Sequence, residues 1–183
     1  MADAAVVRRF LGEGLSIEEQ LVSGAIVRLR KPDAALLGGI GAALTVPLPQ
    51  KPNSLEREGG PQACWLAPGE WAVFGAKFED VQTQVARVCA GAVTHHVADI
   101  GEAWRCWRVS GEAAEPILAN GCPLDLEGVQ GAKGCARTLL GQTNVLLVWT
   151  SDGWTIYAER ALAQFIWAWF SRAGRAWNLC EAA

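Results

Sequence analysis

Histidine occurs only twice in this chain of 183 residues, and tyrosine and methionine once each. Two imidazoles leave little material for histidine-based catalysis or for a histidine-rich metal site. Charged residues make up 19%, too few for a disordered, self-repelling chain. The net charge of −3 and the lack of any basic stripe exclude a nucleic-acid footprint. No apolar run is long enough to span a bilayer, so no membrane partner is expected. There is no C-x-x-C and no G-x-S-x-G. The opening "MADAAVVRRFLGEGLSIEEQ" lacks the hydrophobic core of a signal peptide. These absences together predict a cytoplasmic protein whose cysteines are reduced thiols rather than a disulfide framework.

What is present is apolar: 51% of residues, with nine tryptophans and six scattered cysteines. Large aromatics fill cores and also anchor interfaces. Residues 1–23 read as an N-terminal arm with a short helix at 16–22. The remainder, 24–183, reads as one α+β domain with two similar halves, about 24–99 and 100–175. In the first half, "GAIVRLR" predicts a strand, and Pro32 and Asp33 open a helix that its glycines weaken. Residues 45–61 read as a loop. "ACWL" and "WAVFG" are strands around a Pro-Gly turn, followed by a helix with Val81, Val85, Val88 and Cys89 on one face. In the second half, "AWRCWRV" alternates as a strand. A helix spans 110–120, with Pro116 in conflict inside it. Three strands follow, turning at 141–144 and at Asp152-Gly153. The last helix places Leu162, Phe165, Ile166, Trp169, Phe170 and Ala173 on a core-facing stripe and ends at Gly174. Trp167 falls outside that stripe and is expected to be partly exposed. Hairpins plus helices imply antiparallel sheet with helices packed on it.

Each candidate for chemistry has a plainer explanation. Cys122 and Cys135 lack the two further ligands of a structural zinc site. His95 and His96 are strand neighbours that point to opposite faces, with Asp99 nearby. "GVQGAKGC" and "GGIGAAL" miss the phosphate-loop spacing and read as turns or close helix packing. Cys122 follows a helix C-terminus, which is the wrong sign to activate a thiolate. One pattern resists this reduction. In "AWRCWRV", Arg105 shares a face with Trp107, and Arg108 shares the other with Trp104. An arginine therefore lies among apolar residues on either face. It needs a carboxylate, a carbonyl or an aromatic partner in the chain, or an anionic ligand, or a partner protein's acidic group.

The blocks "WLAPGEW" (65–71), "VADIGEAWRCWRVSG" (97–111), "LANGCPLDL" (118–126), "CARTLLGQTNVLLV" (135–148) and "ERALAQFIWAWF" (159–170) resemble, in order, those of the gamma subunit family of heterotetrameric sarcosine oxidase. The most specific is "GCPLDL" followed by the Arg137-Thr138 strand. Gly101, Pro116, Val129 and Ala161 depart from the family pattern. The resemblance implies a fold similar to the folate-binding domain of glycine-cleavage aminomethyltransferase, with a two-lobed antiparallel sheet and packed helices. It implies a non-catalytic subunit, with no catalytic residue, no metal and no cofactor of its own. The partners would be alpha, beta and delta subunits. The complex would use FAD, FMN, NAD and tetrahydrofolate to demethylate sarcosine oxidatively to glycine. The alternative is a stand-alone folate-binding aminomethyltransferase-like protein. Arg105, Arg108, Trp104, Trp107 and Trp167 are the expected contacts to a partner or anionic ligand, and "EGVQGAKG" is expected to be a turn.

Overall fold

The structure is a computed structural model and describes residues 6–57, 60–131 and 134–182. The first half of the chain runs β1 (Val6–Gly12), β2 (Leu15–Leu21), β3 (Gly24–Leu29), α1 (Ala34–Leu44), β4 (Leu55–Arg57), β5 (Gln62–Ala67), β6 (Glu70–Phe74), α2 (Phe78–Cys89) and β7 (His95–Asp99). The second half runs β8 (Trp104–Ser110), α3 (Ala114–Ala119), α4 (Leu126–Gly131), β9 (Cys135–Leu140), β10 (Thr143–Thr150), β11 (Gly153–Glu159), α5 (Ala163–Ala173) and β12 (Cys180–Ala182). The architecture is α+β, with two antiparallel sheets and few helices. The chain divides into two compact units, one of residues 22–102 and one that joins residues 6–21 to 103–182.

The first unit holds a five-stranded sheet in the order β4-β5-β6-β3-β7. Its core sets Val27, Trp71 and Val73 of the sheet against Ile40 and Leu44 of α1 and Val81 and Val85 of α2. Asp33 caps α1, its carboxylate accepting from the Leu36 N–H at 2.7 Å. The glycines that weaken α1 as an isolated helix let it pack closely. A Cβ at Gly39 would lie 3.2 Å from Val88 of α2. "GGIGAAL" is therefore helix-packing surface. The indole of Trp71 donates to the Pro49 carbonyl at 2.6 Å and ties down the long loop, which also contains the short β4.

The second unit holds a seven-stranded sheet in the order β12-β1-β2-β8-β11-β10-β9. The expected arm is instead the hairpin β1–β2, closed by Glu13-Gly14 with Gly14 in the left-handed region. The expected helix at 16–22 is strand β2. Leu15, Ile17 and Glu19 point inward, and Ser16, Glu18 and Gln20 are only half-buried. This period of two excludes a helix. β2 pairs with β8, and β12 pairs with β1, so both ends of the described chain lie in one sheet.

Two further corrections concern helices. "EGVQG" is part of α4, not a turn, because the Asp125 carboxylate accepts from the Gly128 N–H at 3.1 Å and caps a short helix. Lys133 of that expected turn lies outside the described residues. α3 starts only at Ala114, so Pro116 falls in the first turn, where its missing N–H breaks no helical bond.

The stripe on α5 is also rotated from the expected one. Ala163, Ile166, Trp167 and Phe170 are buried, whereas Phe165 is 44% exposed. A 3-10 turn at Arg160–Leu162 precedes the helix, and Leu162, Trp169 and Ala173 flank the core rather than forming its centre. The cause is β1. Phe10 stacks on the Trp167 ring with centroids 3.9 Å apart. A face that looks outward from the sequence of α5 alone thus meets a strand from the other end of the chain.

Candidate functional site

β8 carries four of the five expected contact residues at the centre of the seven-stranded sheet, with β2 on one side and β11 on the other. Its alternation sends Trp107 and Val109 into the core, fully buried. The indole Nε1 of Trp107 is buried there without a hydrogen-bond partner. Arg105 lies on the same face but further along, opposite Leu21 and Ala158, and donates from Nη1 to the Trp104 carbonyl at 2.8 Å. Arg108, on the other face, donates from Nη2 to Asp152 Oδ2 at 2.6 Å. Its carboxylate is therefore supplied from within the chain, by the turn between β10 and β11.

Trp167 belongs to a separate cluster. Glu19 is 3% exposed, and its carboxylate accepts from Arg8 Nε at 2.5 Å. The same guanidinium sits 4.4 Å from the centroid of the Trp167 ring and reaches Gln164 Oε1 at 3.4 Å. Arg8, Phe10 and Glu19 all face inward, because the β1–β2 register places Arg8 opposite Glu19 and Phe10 opposite Ile17. The buried carboxylate is neutralised by a cation whose other partner is an aromatic face. Trp167 is thus a core residue rather than an exposed anchor.

Trp104 lines an open cleft. The cleft, of about 480 Å³, runs over β8, β11, β10 and β9 and is bounded by Trp104, Tyr157, Glu159, Leu146, Asn144, Arg137 and Leu139. Leu146 is buried and forms part of the floor, while Leu139 on β9 is 41% exposed. Sequence reasoning missed Tyr157, Leu139, Arg8 and Glu19. The signal for Glu19 was the alternation of "LSIEEQL", which puts a carboxylate on the face of Leu15 and Ile17 and so requires a cation nearby.

The other candidates are absorbed into packing. Cys122 Sγ lies 3.7 Å from Thr138 Oγ1, while Cys135, three residues earlier on β9, faces the other side of the sheet. His95 Nδ1 lies 3.1 Å from the Val93 carbonyl, and His96 is the next residue of the same strand. Among the described residues no group of three or more His, Cys, Asp or Glu side chains is placed to hold a metal ion. No helix of the described residues is long and apolar enough to cross a membrane.

All six cysteines are unbridged, and only Cys180 is exposed. Burial pushes the Cys106 thiol up to about 12; the Glu19 charge adds to the rise and Arg105 partly offsets it. Burial also raises Cys89. Thiolate is the reactive form, so native protein at pH 8 is expected to take up one equivalent of iodoacetamide, at Cys180, and six equivalents in denaturant without reductant. Rapid native labelling of Cys106, located by peptide mass, would contradict this burial.

No protein-family model matches the chain, and no curated protein sequence matches it. A comparison with solved structures does find a likeness. A chain of the heterotetrameric sarcosine oxidase from Corynebacterium sp. U-96, solved in complex with pyrrole 2-carboxylate, superposes with a TM-score of 0.76 at 20% identity. The match covers 94% of this chain and 90% of that one. The fold is that of a chain in this oxidase, in agreement with the resemblance carried by the sequence blocks.

Proposed function

We propose that this chain is the gamma-type subunit of a heterotetrameric sarcosine oxidase, a docking and structural component without catalytic residues of its own. The observation that carries this reading is the coextension of the two folds. Nearly the whole of this chain matches nearly the whole of a chain from such a complex, so the likeness is to a subunit rather than to one domain of a larger enzyme. Three features of the site support it. The arginines of β8 are engaged within the chain, five of the six thiols are buried, and the cleft at Trp104 is lined by Trp104, Tyr157 and leucines together with Arg137 and Glu159. On this reading the flavins, NAD and tetrahydrofolate belong to the assembled complex, the partners are alpha, beta and delta subunits, and the setting is cytoplasmic.

The test is co-expression of the tagged chain with the reading frames that flank its own. The isolated chain is expected to be colourless and inactive. The co-purified complex is expected to carry a flavin spectrum and to produce peroxide from sarcosine. A chain that purifies alone in the presence of those gene products, and binds tetrahydrofolate with micromolar affinity by calorimetry, would replace this reading with that of a stand-alone folate-binding protein.

A further inference from the structure

We draw no further inference here: the strongest candidate, the outward face of α5 where Phe165 and Arg172 are exposed, is a bare helix face, and nothing in the structure shows what covers it.

Discussion

Trp167→Ala is expected to destabilise the isolated chain by about 3–5 kcal/mol, the range for truncating a large aromatic in a packed core. The residue is 5% exposed, with Phe10 stacked on its ring and Arg8 beside it. The truncation opens a cavity between α5 and β1 and removes the aromatic partner of a guanidinium held near a buried carboxylate. In a chain of this length the loss corresponds to a fall in melting temperature of about 10 °C. Phe165→Ala on the same helix is expected to cost under about 1 kcal/mol, because Phe165 is 44% exposed. Trp167→Phe separates two contributions. It keeps much of the stack and removes an indole N–H that is buried without a partner, so its cost should fall well below that of alanine. The check is a set of thermal and urea melts of the three variants. Equal stability of Trp167→Ala and wild type, with a large loss in Phe165→Ala, would restore the stripe read from the sequence of α5.

That reversal shows where sequence was sufficient and where it was not. The hairpin β10–β11, the helix α2 with Val81, Val85 and Cys89 inside, and the α1 cap at Asp33 depend on residues close in sequence. Turn residues, period and caps make them legible. The stripe on α5 depends on a partner more than 150 positions away. Helical period marks Phe165 and Trp167 as lying on different sides of α5, but it cannot say which side meets β1. β2 differs: the alternation of Leu15, Ile17 and Glu19 is local and legible, and only the inward place of a carboxylate argues against it. Glu19 looks like a surface residue until Arg8 is placed opposite it on β1. At β8 each arginine requires a partner, and the structure supplies Asp152 for Arg108 and the Trp104 carbonyl for Arg105. The cleft at Trp104 was not legible, because it is assembled from four strands whose order in the sheet no local pattern encodes.

Arg8→Ala is expected to cost about 3 kcal/mol, although the arginine side chain itself is partly exposed. The loss arises mainly from what remains. The Glu19 side chain is 4% accessible, and without Arg8 its carboxylate stays among Phe10, Ile17 and Trp107 with its cation gone. Removing one member of a buried pair typically costs ~3–5 kcal/mol, and the 23% exposure of the Arg8 side chain places this case at the lower end. A part of the loss, about 0.5–2 kcal/mol, belongs to the contact of the guanidinium with Trp167. Glu19→Gln should be milder, because the neutral amide can still accept from Arg8 and costs less to bury. The double variant Arg8→Met with Glu19→Leu should lie within about 1 kcal/mol of wild type, since replacing both members of a buried pair by apolar groups of similar volume is commonly near neutral. Urea melts of Arg8→Met, Glu19→Leu and their double variant form a cycle whose coupling energy reads the pair directly. Additive losses, with the double variant as unstable as the sum of the singles, would show that Arg8 and Glu19 act independently. The β1–β2 hairpin would then be held by its ladder with β8 and by Phe10, Leu15 and Ile17, without a contribution from the pairing of the two charges.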